Sequence, residues 1–309
     1  ILILFRFCRT MPELPLYGID WLGALLWGLT MLSVIFICVY GDYLDWYESS
    51  YIRIATVSGG VILLLNLWRA SFIRHPFIPL PVWRFKAVYI TLSLYIVIDL
   101  LTAPSHIFEH LYMESVLRYD SLNVISLNWV VLFGIIAGCY FTYRTFALRK
   151  WPYRTMTAIG FSAIVAYLIL FYFTIDYNLP KESLLFPIFL RGFGYVIIVI
   201  CFLTALSRVP FPFFFQSVSV QAFVSAGIGG VLGTAILGQI FKTVTKRNAM
   251  LLSSSLDNVN PLAMKLAPGE LYGALQQQAL MVSMKELYGW LALAGIFCLL
   301  LFMIKESDI

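Results

Sequence analysis

The chain has 309 residues, of which 61% are hydrophobic and 12% are charged, with a formal net charge of +5. Soluble globular chains carry about 25% charged residues, so this composition excludes an ordinary soluble protein and indicates an integral membrane protein with several spans. In such a protein the Lys and Arg belong to loops, so the positive charge gives no indication of a nucleic-acid partner.

Eight continuous apolar runs of about 20 residues predict eight membrane-spanning helices. The strands of a membrane β-barrel would instead show alternating segments of about ten residues. The apolar residues 1–7 look like the tail of a further span, which predicts that the chain begins inside a longer protein. The predicted spans are residues 21–40, 51–68, 87–108, 122–143, 155–175, 184–206, 213–241 and 287–304.

The charges of the short loops predict the orientation of these spans. Lys and Arg concentrate in one alternating set of loops, whereas Asp and Glu concentrate in the other set. The positive-inside rule places the basic loops, and both ends of the chain, in the cytoplasm. One long segment, residues 242–286, then lies outside although it opens with three basic residues. From Glu270 onward this segment predicts an amphipathic helix on the outer membrane surface.

The connector at residues 69–86 marks a boundary in the chain. It combines three prolines with four basic residues, and prolines at this spacing prevent a continuous helix. We therefore divide the chain into a tail and connector at residues 1–19, a pair of spans with the proline-rich connector at 20–86, and a block of six spans at 87–309.

Five segments carry recognisable motifs. They are IDWLGALLWGLTMLSVIFICVYGDYLDWYESSYI at 19–52, HPFIPLPVWRFKAVYI at 75–90, YRTFALRKWPYR at 143–154, LRGFGYVIIV at 190–199 and SAGIGGVLGTAIL at 225–237. Together they resemble the C-terminal part of a fourteen-span drug:proton antiporter of the major facilitator superfamily, the EmrB/QacA type. The basic turn at 143–154 has only the positive charge of the superfamily's loop motif and lacks its Asp and its glycines.

The resemblance implies a fold and an activity. The fold is two linker helices followed by a C-terminal six-helix bundle, and its partner is an N-terminal six-helix half of the same protein. The activity is proton-coupled efflux of small, hydrophobic cationic compounds across the inner (cytoplasmic) membrane by alternating access. The resemblance implies no enzymatic activity and no cofactor.

In that architecture the first and fourth helices of each half line the central cavity, and here they correspond to residues 87–108 and 184–206. Asp99 lies about 13 Å and Arg191 about 10 Å below the same membrane surface, at about 1.5 Å per residue. A carboxylate at this depth costs about 3 kcal/mol unless it faces protein or a water-filled path. We expect Asp99 to bind a proton or a cationic substrate, with Arg191 modulating its proton affinity. The alternatives are a static ion pair, or no contact, with Arg191 reaching the membrane interface.

Other residues of the same spans have candidate roles. Pro104 removes a helical hydrogen bond and predicts a gate hinge or a fixed kink. The glycines at 229 and 233 form a GxxxG pair, which permits close contact between helices. The predicted packing residues are Gly229, Gly230 and Gly233, and the residues predicted to line an inner vestibule are Gln216 and Gln221.

Two alternative functions remain. Residues 106–110, HIFEH, fit the HxxEH pattern of zinc peptidases, in which two His bind zinc and Glu acts as base. The only other histidine, His75, is predicted on the opposite side of the membrane, so we expect no metal site. The second alternative is a membrane scaffold or assembly protein without transport activity.

Overall fold

The computed structural model describes residues 20–73, 75–177, 179–254 and 268–304. Throughout these residues the chain is helical, without a strand. The predicted tail of an upstream span, at residues 1–7, lies outside the described residues. The ten α-helices are α1 (Trp21–Tyr40), α2 (Ser50–Phe72), α3 (Lys86–Thr102), α4 (Pro104–Leu111), α5 (Ser121–Thr142), α6 (Tyr153–Thr174), α7 (Glu182–Leu206), α8 (Phe211–Phe223), α9 (Gly230–Ser254) and α10 (Pro268–Ile304).

Shorter helical segments connect several of these helices. Two are 3₁₀-helices, and three are π-helices that continue directly from an α-helix. The 3₁₀-helices are Trp46–Glu48 and Leu80–Arg84, and the π-helices are Tyr112–Val116, Tyr143–Leu148 and Val224–Gly229. A π-helix bonds each amide to the carbonyl five residues earlier and occurs mostly as a single turn inside an α-helix, often at a functional site.

Seven helices in the described part of the chain are long and apolar enough to cross a membrane. The protein is therefore an all-α, multi-pass membrane protein. The seven candidate spans are Trp21–Tyr40, Ser50–Phe72, Lys86–Val116, Leu122–Leu148, Tyr153–Thr174, Glu182–Leu206 and Gly269–Ile304.

The seventh predicted span, residues 213–241, is not among these seven candidates. Its residues belong to α8, the π-helix Val224–Gly229 and α9. Helix α8 has only 13 residues, and α9 carries three basic residues in its second half.

Two predicted spans belong to helices that are longer than their predicted boundaries. The third span continues past residue 108 to Val116, so Glu109 lies on a helix and not in an outer loop. The segment from Glu270 is not a separate surface helix, because α10 runs unbroken for 37 residues into the last span. No proline follows Pro268 in α10, so nothing in the sequence interrupts the helical hydrogen bonds.

The helices of the six-span block pack around α7 and α3. Helix α7 contacts both α5 and α6, and α6 in turn packs against α10. The α5–α7 crossing is close because the Cα atoms of Gly134 and Gly192 each lie against the backbone of the opposite helix. Helix α3 contacts α7, α9 and the π-helix Val224–Gly229. This arrangement brings α3, α5 and α7 around one space inside the block.

The first two helices form a hairpin fastened by a buried carboxylate. The Asp20 side chain, 6% exposed, caps α1 by accepting the Gly23 amide at 2.9 Å, and Oδ1 lies 2.8 Å from Arg69 Nη1. The Phe77 amide of the connector donates to Asp20 Oδ2 at 3.3 Å. Burial opposes ionisation, but the Gly23, Arg69 and Phe77 hydrogen bonds together hold the pKa of Asp20 below its ordinary value of 3.8. One carboxylate thus joins α1, α2 and the connector.

We predict that Asp20→Asn lowers the free energy of unfolding in detergent by about 1.5–3 kcal/mol at neutral pH, since hydrogen bonds to a charged group are lost. Because the pKa is depressed in the folded state, this stabilisation is full above the ordinary value of 3.8 and is lost as the pH falls through the folded-state pKa. Denaturation followed by tryptophan fluorescence should therefore show the two proteins converging in acid.

The matched control is Asp42→Asn, which removes an exposed pair with Lys242. This variant should change the free energy of unfolding by less than about 1 kcal/mol. Two results would contradict the role of the buried carboxylate. One is an equal change in the free energy of unfolding for both substitutions, and the other is a lower free energy of unfolding of Asp20→Asn that persists in strong acid.

Candidate functional site

A cavity of about 480 Å³ lies between α3–α4, α5 and α7. Its volume is within the range of about 300–1,000 Å³ typical of small-molecule sites. The α3–α4 wall is polar and the α5 wall is mostly apolar. Its lining includes Asp99, Thr102, Ser105, His106, Glu109, Met113, Val124, Leu127, Asn128, Val131, Ile135, Ile188, Arg191, Tyr195 and Gly230.

One face of α3 and α4 supplies the polar wall. Asp99, Thr102, His106, Glu109 and Met113 all line the cavity, and their spacing of three or four residues is that of a single helix face. The face therefore continues through the break between α3 and α4. Asp99 and Glu109 stand about 15 Å apart along this face, at about 1.5 Å per residue.

Pro104 lies at the break and is the first residue of α4, a position where proline is tolerated. It has no amide hydrogen to donate to the Leu100 carbonyl. The hydroxyls of Thr102 and Ser105 donate instead to neighbouring carbonyls, those of Ile98 at 2.9 Å and Thr102 at 2.7 Å. The break is local, since Ala103 keeps right-handed helical angles.

Arg191 pairs with Glu109 and not with Asp99. Arg191 Nη1 donates to Glu109 Oε2 at 2.7 Å, and the two side chains are only 16% and 7% exposed. The predicted partnership of Asp99 with Arg191 is therefore wrong. The cause is the length of the third span: α4 continues past residue 108, which brings Glu109 to the guanidinium.

Two buried tyrosines complete this network. The Tyr167 hydroxyl donates to Glu109 Oε1 at 2.6 Å and lies 3.4 Å from the Tyr288 hydroxyl. Both tyrosines are 1% exposed or less. Tyr167 belongs to α6 and Tyr288 to α10, so the network joins four helices. Local sequence does not distinguish these two tyrosines from the others, because the chain has 18 tyrosines.

Asp99 has a different environment. It is 7% exposed, and its Oδ2 accepts no hydrogen bond from the residues that the structure describes. The carboxylate faces the π-helix Val224–Gly229, where Ser225 lies within hydrogen-bonding reach. A Cβ atom on Gly229 would overlap Oδ2, so this glycine leaves the room that the carboxylate fills.

The predicted packing glycines fall into two groups. Gly229 and Gly233 face α3, since a Cβ on Gly233 would lie 3.4 Å from Ala103 Cβ and from the Asp99 carbonyl oxygen. Gly230 instead lines the cavity, and the nearest atom to its Cβ position, the Ser225 carbonyl oxygen, is 3.8 Å away.

The predicted vestibule residues do not line this cavity. Gln221 is 4% exposed and lies within hydrogen-bonding reach of Tyr95, one helical turn before Asp99. Gln216 is partly buried, and the Oε1 atoms of both glutamines lack hydrogen-bond partners among the described residues.

The HxxEH segment does not have the arrangement of a zinc-peptidase site. Both carboxylate oxygens of Glu109 are occupied, by Tyr167 and by Arg191. His110 Nδ1 lies 3.1 Å from Glu114 at the exposed end of the segment. Within the described ranges, no three His, Cys, Asp or Glu side chains are grouped so that they could hold a metal ion. This geometry gives the metalloenzyme alternative no support.

We predict that Glu109→Gln and Arg191→Gln each lower the free energy of unfolding by about 3–5 kcal/mol, because each leaves a buried charge without its partner. The double variant should be less destabilised than either single variant, since it removes both charges. Denaturation of the purified variants in detergent measures the three values. Glu114→Gln, in the exposed pair with His110, is the control, and additive effects of the two buried substitutions would contradict the coupling.

We predict that Gly229→Ala lowers the midpoint of thermal unfolding, because the new Cβ requires the Asp99 carboxylate or α3 to move. Gly230→Ala is the matched control one residue away. Its new Cβ makes only an ordinary contact of 3.8 Å, and the variant should be neutral or slightly stabilising, since Ala is favoured over Gly in a helix by about 0.5–1 kcal/mol. Equal effects of the two substitutions would show that the contact with Asp99 does not matter.

No family model and no curated protein matches the chain. The chain itself is an all-α membrane protein with seven candidate spans. Its candidate site combines the cavity, a carboxylate with one unpartnered oxygen and a buried ion pair.

Proposed function

We propose that the chain forms the linker helices and C-terminal half of a major facilitator antiporter. In this proposal it exports small, hydrophobic cationic compounds in exchange for protons across the cytoplasmic membrane, with its basic loops in the cytoplasm. The single observation that carries the proposal is Asp99, a buried carboxylate with an unpartnered oxygen on the wall of a cavity in a membrane-spanning helix.

The charges around the cavity support a cationic ligand. Glu109 and Arg191 neutralise each other, because they form a buried ion pair. No described basic residue forms an ion pair with Asp99, so the ionised carboxylate leaves one negative charge in the cavity. A buried charge of this kind is unfavourable until a proton or a cation neutralises it.

Competition for this carboxylate supplies a mechanism for exchange. A proton and a cationic substrate both neutralise Asp99, but the ionised oxygen that attracts the cation is lost when the proton binds. If each state of the transporter opens the cavity to one side, Asp99 carries the substrate in one direction and the proton in the other. Binding that differs between the two states drives the change of conformation.

The polar contacts at Asp99 support this role. The described groups near the carboxylate are uncharged: the hydroxyls of Ser225, Tyr95 and Tyr195, and a glycine, Gly229. None of them fixes its charge as Arg191 fixes that of Glu109. Asp99 is therefore the acid of the cavity that is free to change its protonation state, and the proton-coupling role predicted for the pair belongs in this proposal to Asp99 alone.

We predict that Asp99→Asn reduces proton-driven transport of a lipophilic cationic dye at least about tenfold, because the carboxylate no longer alternates between proton and cation. The assay is dye accumulation in everted membrane vesicles from cells that express the complete reading frame, after an acid-inside pH gradient is imposed.

Glu114→Gln, an exposed carboxylate near the cavity mouth, should transport like the wild type. Gel filtration of both variants in detergent controls for folding. Unchanged coupling in Asp99→Asn would contradict the proposal, and so would a wild-type protein that accumulates no dye.

A further inference from the structure

The end of the cavity near Glu109 presents hydrogen-bond donors. Tyr167 and Arg191 occupy both oxygens of Glu109, so this carboxylate has little left to offer a ligand. Arg191 carries five N–H donors, and its bonds to described residues are those to Glu109 and Tyr167. Its side chain keeps 16% exposure and lines the cavity. His106, on the same wall one turn earlier, is also exposed.

The other end presents an acceptor. Asp99 lines this end of the cavity and is 7% exposed, and its Oδ2, which lies against Gly229, accepts no hydrogen bond from the described part of the chain. The complement of such a carboxylate is a donor that carries positive charge, such as an ammonium group. The two ends of one cavity thus require opposite chemistry of a ligand.

The α5 side of the cavity is largely apolar. Helices α5 and α7 contribute Val124, Leu127, Val131, Ile135 and Ile188, with Asn128 as a polar exception. Asp99 and Glu109 lie about 15 Å apart along their helix axis. A ligand that reaches both ends therefore needs an elongated apolar body.

We propose that the cavity binds an elongated zwitterion, with an ammonium group at Asp99, an apolar body along α5 and a carboxylate at Arg191. The proposal rests on the proposed function to the extent that this cavity is the substrate site, and it narrows the substrate class from cations to zwitterions. A simple cation would satisfy Asp99 but leave the donors of Arg191 without an acceptor. Sites that present buried polar groups discriminate strongly against ligands that lack the matching group.

The test uses three probes that share one chain. They are ω-aminoundecanoic acid, its methyl ester, which keeps only the positive charge, and its N-acetyl derivative, which keeps only the negative charge. Isothermal titration calorimetry with the full chain in lipid nanodiscs measures the affinities. The zwitterion should bind at least about tenfold more tightly than either derivative, which corresponds to one charged contact at each end.

Two variants test which end of the cavity binds which charged group of the ligand. Asp99→Asn should abolish the preference for the zwitterion over the N-acetyl derivative but keep the preference over the methyl ester. The double variant Glu109→Gln, Arg191→Gln should show the reverse pattern, and it removes both charges of the pair so that neither is left buried alone. Glu114→Gln, at the exposed end of α4 and the following π-helix, should keep both preferences.

Equal affinity for the zwitterion and its methyl ester would overturn the proposal, as would no saturable binding of any probe by the folded protein. These results are independent of transport. If the zwitterion shows no preference but transport still requires Asp99, this inference fails and the proposed function stands. If the protein prefers the zwitterion but transport does not require Asp99, the proposed function is wrong and the proposed zwitterion site is still supported.

Discussion

The buried ion pair of Glu109 and Arg191 is the contact on which the structure around the cavity depends. Removing two charges from water is costly, and the attraction between them compensates only when the geometry is good and the remaining polar atoms are bonded. Here the pair meets at 2.7 Å, and Tyr167 occupies the second carboxylate oxygen. Because the four side chains of this network come from α4, α6, α7 and α10, satisfying the charges fixes the relative positions of four helices.

The same helix face carries two carboxylates with opposite surroundings. Glu109 is held by a guanidinium and a hydroxyl, whereas Asp99 faces a π-helix whose glycine leaves space for it. In that π-helix the Gly230 amide bonds to the Ser225 carbonyl, five residues earlier. Sites with this irregularity often have a functional role. One acid is therefore bonded at both oxygens within the fold, whereas the other keeps an oxygen without a hydrogen bond from the described residues.

The long helices at the C-terminal end show how polar contacts continue outside the apolar region. Helix α10 has 37 residues, or about 55 Å at about 1.5 Å per residue, which exceeds a hydrocarbon core of about 30 Å. In its first half Glu286 pairs with Arg247 of α9 at 2.6 Å, and Ser283 accepts from the Asn248 amide at 3.0 Å. Arg247, and Lys242 through its pair with Asp42, thus have acidic partners within the protein, although basic residues at this place fit poorly with the positive-inside rule.

The sequence by itself determined the class of the protein and the positions of most of its spans. Continuous apolar runs of about 20 residues indicate helices, because backbone polar groups in lipid must be bonded and the strands of a barrel would show alternating segments of about ten residues. Counting residues also predicted similar depths for Asp99 and Arg191, and the two residues line one cavity.

Only the tertiary structure decided which charges meet. Residue counting gives depth along each helix, but it does not give the rotation of one helix against another or the point at which a polar helix end leaves the apolar region. Charged residues follow residue 108, so the sequence places Glu109 beyond the end of the span. The helix continues because its backbone hydrogen bonds are still made. The guanidinium of a distant helix neutralises the charge of Glu109. The roles of Tyr167, Tyr288 and the gap at Gly229 depend on contacts between segments far apart in the chain, and local sequence carries no record of such contacts.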